Sequence, residues 1–202
     1  MFAYEKRLQF PVKIKNTCPD TARLIMSQYG GPDGELSASM RYLSQRYAMP
    51  VKQVGGLLTD IGVEELNHME IICSMVYQLT RDLSEEEVKR AGFDAYYIDH
   101  TKGVWPQAAA AIPFTSLEFQ SKGDPLADLF EDLAAEQKAR TVYDNLLRVV
   151  DDPDVIAPLK FLRAREIVHF QRFGEAVHDQ ESLFQKITVC ANCIDRKSHP
   201  LG

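Results

Sequence analysis

The chain has 202 residues, a net charge of −6, 45% hydrophobic and 26% charged residues, which suits one globular core and makes one domain the default. The acidic balance lacks the basic footprint of nucleic-acid or anionic-lipid binders, no stretch approaches the roughly 18 apolar residues that span a bilayer, and Met1–Arg7 has no uninterrupted apolar run of a signal peptide. The expectation is a cytoplasmic protein that engages neither nucleic acid nor membrane. Four scattered cysteines, Cys18, Cys73, Cys190 and Cys193, form no disulfide framework. Cys73 sits in an apolar helical run and reads as core, and Cys190 and Cys193 as reduced thiols on a tail.

Leu8 to Ile14 alternates apolar and polar positions, and Pro11 restricts it to a sheet edge or an arm. Pro19-Asp20 opens a helix carrying Ala22, Leu24, Ile25, Met26 and Tyr29, broken at Gly30-Gly31-Pro32. Asp33 is suited to N-cap a resumed helix over 34–47 with Leu36, Met40 and Leu43. After Pro50 a long helix runs to about Thr80, with Val54, Leu58, Ile61, Glu65, His68, Ile72, Met75 and Leu79 on one face. Residues 81–121 lack long periodicity apart from a short helix over Ser84–Ala91, and their length fits a crossover along a bundle better than a loop. A third helix, about 123–149, places Leu126, Leu129, Leu133, Glu136, Arg140, Tyr143 and Leu147 on a stripe. A fourth, about 154–183, does the same with Leu159, Leu162, Glu166, His169, Phe173 and Val177. The predicted architecture is all-α: a domain over 1–185 with an N-terminal arm, and a flexible tail over 186–202.

Two Glu-x-x-His motifs, Glu65 to His68 and Glu166 to His169, stand mid-stripe on the second and fourth helices. Each has a glutamate 30 residues upstream, Glu35 and Glu136, followed seven residues later by a tyrosine, Tyr42 and Tyr143. At about 1.5 Å rise per residue, Glu35 lies roughly 21 Å before the turn at Met49 and Glu65 roughly 24 Å after it. Antiparallel helices therefore bring the two carboxylates to one level. The Asp152 turn does the same for Glu136 and Glu166. A lone Glu-x-x-His is usually a solvated pair, and Glu35 alone reads as a first-turn acid facing the helix dipole. Two copies on apolar stripes, where an unpaired carboxylate is costly to bury, predict instead a dinuclear site of four glutamates and two histidines, the ligand set of ferritin-like four-helix bundles. Such donors suit manganese or iron. Tyr42 and Tyr143 either donate hydrogen bonds that orient these carboxylates or are core aromatics. His100 and His178 read as surface or structural residues.

The runs Gly30 to Leu36, Arg41 to Leu43 and Glu64 to Glu70, with the Phe2 to Ile14 opening, resemble the manganese catalases, and the short length is most like their spore-coat CotJC-type members. The resemblance covers most of residues 1–180. It implies a ferritin-like antiparallel bundle whose two manganese ions disproportionate hydrogen peroxide to water and oxygen. The implied metal ligands are Glu35, Glu65, His68, Glu136 and His169, with Glu65 or Glu136 bridging. Glu166, a ligand by spacing alone, is by resemblance an acid/base group near the entry path. The resemblance further implies a homo-oligomer, hexameric or dimer-based, made in the cytoplasm, deposited in the spore coat and meeting other coat proteins there. Ala135 stands where some catalases carry a basic residue, implying different gating of peroxide. The rival readings are a ferritin-like di-iron oxidase or peroxidase with the same ligands, and a mainly structural coat protein that keeps the metal site.

Overall fold

The computed structural model describes residue 5, residues 7–96 and residues 103–195, with side chains through residue 178. Helix α1 (Pro19–Gly30) begins on a proline, whose missing N–H costs nothing in a first turn, and ends where Gly31 N donates to Ser27 O. After the Gly31–Gly34 break, α2 (Glu35–Gln45) and a short 3-10 turn (Arg46–Ala48) lead into α3 (Lys52–Thr80). Cys18 N donates to Leu79 O, and Ser39 Oγ donates to Gly62 O at 2.7 Å, so α1 and α2 together run antiparallel to α3. Gly62 permits this approach: a Cβ there would lie 2.8 Å from Leu43 Cγ. The crossover contains α4 (Glu85–Arg90), started by a capping box between Ser84 and Glu87, and a 3-10 turn (Ser116–Phe119) tied to α2 where Arg41 donates to Glu118 O. Helices α5 (Pro125–Val149) and α6 (Pro153–Asp195) form the second antiparallel pair and complete a ferritin-like four-helix bundle.

Several expectations are refined. The cap of α2 is Gly34, with no side-chain bond; Asp33 turns instead to Lys138, 3.5 Å away on α5. The alternation of Val12 and Ile14 is real, since both are buried, but no strand among the described residues lies beside them. The Gln78 side chain pairs with Ile14 N and Val12 O in place of a ladder. Helix α6 continues to Asp195, past the expected end near 183 and into the segment read as tail, because no Gly or Pro interrupts the sequence between Gly174 and Pro200. The expected tail's residues 196–202, and His100, lie outside the described residues, as do the side chains of Cys190 and Cys193.

The apolar core is in two parts. One gathers the arm, α1, the C-terminal half of α3 and the α5–α6 turn around Ile25, Ile72, Met75, Leu159 and Leu162. The other packs Tyr42, Leu58, Ile61, Leu129 and Phe173 at the opposite end. Each buried aliphatic side chain contributes about 1.5–3 kcal/mol relative to exposure. Between the two clusters lies a layer of buried polar side chains: Glu35, Glu65, His68, Glu136, Glu166 and His169. No helix among the described residues is long and apolar enough to cross a membrane.

Candidate metal centre

Each helix of the bundle delivers its acid to this layer by register alone. Glu35 opens α2, Glu65 and His68 share one face of α3, Glu136 sits midway along α5, and Glu166 and His169 share one face of α6. Glu65 occupies the middle. Its Oε2 is 2.8 Å from His68 Nδ1, and its Oε1 is 2.6 Å from His169 Nδ1. Glu35 Oε2 lies 3.6 Å from His68 Nδ1 and Glu136 Oε2 3.6 Å from His169 Nδ1. The two imidazoles stack with centroids 5.5 Å apart. One carboxylate thus faces both histidines, and each histidine has a further glutamate to itself. The tyrosines cross between hairpins: Tyr42 of α2 donates to Glu136 of α5, and Tyr143 of α5 donates to Glu35 of α2.

Crowding buried carboxylates together is unfavourable, and the raised proton affinities of Glu35 and Glu166 show it. Burial, then the Glu65 charge, pushes Glu35 up to about 8. Burial, then the charges of Glu35 and Glu136, holds Glu166 well above the usual carboxylate range. Burial would raise Glu65 too, but His169 and His68 together hold it far below that range. Burial works against the charged form of both histidines, yet Glu65 and the surrounding carboxylates outweigh it and raise them.

The donor set fits a cation. His169 Nδ1 and Glu65 Oε1, only 2.6 Å apart, lack the alignment of a hydrogen bond, as do the buried Glu136 Oε2 and Glu166 Oε1. Lone pairs that converge without pointing at one another suit a shared metal ion. Ligand atoms from Glu65, His68, Glu166 and His169 all lie within 4.8 Å of one another. Imidazole with carboxylate is a donor set for manganese or iron rather than a closed zinc site.

The model of the manganese-containing catalases matches residues 1–194. The chain belongs to that family. Protein CotJC of Bacillus subtilis is 52% identical over 88% of this chain and 93% of its own length. A probable manganese catalase of Clostridium acetobutylicum is 35% identical over 88% of this chain and 80% of its own. Among solved structures, KatB, a manganese catalase from Anabaena, superposes with a TM-score of 0.82 at 28% identity, covering 90% of this chain and 81% of that one.

Within this manganese catalase framework the predicted residues gather at one level, but the matched motifs are not equivalent. Glu65 lies against both histidines, whereas Glu166 lines a small cavity with Glu35, Tyr42, Ala135 and Glu136 that runs outward to exposed Pro32 and half-buried Asp33. The space is on the order of one water molecule. Ala135 borders it, so no basic side chain from that position enters. His178 is exposed. Two residues without a role by motif spacing also belong here: Glu64 meets the far side of both imidazoles, and Arg165 binds Glu64. A signal existed: Glu64 and Arg165 are themselves 101 residues apart, the spacing that relates Glu65 to Glu166.

Proposed function

We propose that this chain is a catalase that converts two molecules of hydrogen peroxide into two of water and one of oxygen at two manganese ions. Glu35, Glu65 and His68 hold one ion; Glu136, Glu65 and His169 hold the other. The observation that carries the reading is the placement of Glu65, whose two oxygens each face one histidine, in a chain of the manganese catalase family. When bound, the ion pair supplies a two-electron reservoir that is filled by oxidation of one peroxide and emptied by reduction of the next. Oxidising peroxide to oxygen releases two protons, and reducing the second to two waters takes up two. Glu166 fits that exchange: its Oε1 is buried and without a hydrogen-bond partner among the described residues beside the cavity, and burial with the charges of Glu35 and Glu136 raises its proton affinity, as an acid/base group requires. Tyr42 and Tyr143 fix Glu136 and Glu35, so these carboxylates need not reorganise during turnover. The apolar clusters on both sides keep bulk water from the layer. The assembly is a homo-oligomer deposited in the spore coat, as its likeness to the CotJC-type members implies.

The division of roles is testable. Glu166→Gln should keep its manganese and lose about 100-fold or more of its oxygen evolution from peroxide. Glu65→Gln and His68→Ala should lose the metal itself. If Glu166→Gln instead loses manganese to the same extent as Glu65→Gln, Glu166 is a ligand and the assignment fails.

A further inference from the structure

Both histidines turn Nδ1 toward Glu65, so in the neutral form that binds metal the remaining proton sits on Nε2. That proton needs an acceptor in a layer closed to water. The Nε2 atoms of both rings are buried without an aligned hydrogen bond among the described residues. One carboxylate faces both: Glu64 Oε2 is 3.2 Å from His169 Nε2, and Glu64 Oε1 is 3.6 Å from His68 Nε2, the residue one turn along the same helix. Glu64 is itself gripped from outside. Arg165 of α6 donates to both of its oxygens at 2.7 and 3.2 Å, and Gln9 of the arm donates to Oε1 at 2.9 Å. Beside Gln9, Phe10 stacks on Phe161 with centroids 5.0 Å apart, and Phe161 meets the His68 ring edge-on.

We propose that Glu64 is a positioning residue for the whole centre: one carboxylate accepts the Nε2 hydrogens of both histidines and is held in place by Arg165 and the N-terminal arm. The matched position on α6 explains why a single glutamate serves two rings. Where the pattern of α3 would put a second carboxylate, α6 carries Arg165, and the opposite charges meet across the bundle. A carboxylate bonded to Nε2–H fixes the tautomer and strengthens Nδ1 as a donor. The N-terminal arm thereby becomes part of the metal site, although none of its described side chains faces Nδ1.

This inference rests on the two-manganese reading, and the test separates the two. The measurement is the half-time of manganese loss from loaded protein in excess chelator, with manganese per chain and far-ultraviolet circular dichroism followed in parallel. Glu64→Gln should fold and release manganese about 10-fold or more faster than wild type, because an amide offers one acceptor oxygen and turns an N–H toward the second ring. Asp144→Asn, which removes an arginine-clamped carboxylate between α5 and α6 that touches neither histidine, should release manganese at the wild-type rate. Should Glu64→Gln fail to fold, Gln9→Ala and Arg165→Gln loosen the same carboxylate from outside and should each speed release severalfold. Release from Glu64→Gln, or from both outer variants, at the wild-type rate would overturn the assignment, as would equally fast release from Asp144→Asn. A wild type that retains no manganese would overturn the two-manganese reading and this inference with it.

Discussion

At the scale of single residues, the centre owes its shape to pairs that cross between hairpins. Tyr42 and Tyr143 each donate to the glutamate carried by the other's own helix, so neither Glu35 nor Glu136 takes its tyrosine from its own hairpin. Replacing either tyrosine by phenylalanine removes one donor from a buried carboxylate, at a cost of about 1–3 kcal/mol. Tyr42→Phe and Tyr143→Phe should remain folded and bind manganese about 10-fold more weakly in a competition titration; unchanged affinity would mean the hydroxyls only fill space. The matched spacing of these tyrosines is visible in the sequence. Their exchange of partners is not, because it depends on which helices of the two hairpins stand side by side.

At the scale of the elements, legibility follows chemistry. All eight stripe positions of α3 and all six of α6 are buried, and there apolar periodicity and burial coincide. Helices α2 and α5 behave otherwise. The buried face of α2 is Glu35, Ser37, Ser39, Arg41, Tyr42 and Gln45, while Leu36, Met40 and Leu43 are only partly covered. On α5 the interior holds Asp128, Asp132, Ala135 and Ala139 in place of Leu133 and Arg140. Some of these residues line the cavity, as Arg41, Ala135 and Ala139 do, and others bond to neighbouring elements, Ser39 to Gly62 O, Gln45 to Ser121 and Asp128 to the amides of Lys122 and Gly123, so a hydrophobic pattern points to the wrong side. The crossover shows a similar dependence on close contact. Gly30, the last residue of α1, would place a Cβ 2.3 Å from Gln107 N, and backbone cannot yield there without moving the loop. Gly30→Ala should therefore destabilise the fold by about 1–3 kcal/mol or more, seen as a clear fall in melting temperature.

At the scale of the whole molecule, a buried acidic layer makes the metal-free fold sensitive to pH. Folded Glu35 keeps its proton to about pH 8, against an ordinary 4.5, so the folded chain holds more protons than the unfolded one across that window. Stability must then fall as pH rises through it. The raised histidines add the same sign above their ordinary 6.5. The chelator-treated protein should melt at a lower temperature at pH 8 than at pH 5.5. Metal takes the place of those protons and binds more tightly as pH rises, so saturating manganese should remove or reverse the trend.

The central claim, catalase chemistry at a two-manganese centre, is tested most directly by metal analysis of the purified protein together with oxygen evolution from peroxide in the absence of any reductant. Purified protein should hold about two manganese ions per chain and release one oxygen for every two peroxides consumed. Iron in place of manganese, with oxygen consumed and no oxygen evolved from peroxide, would contradict it.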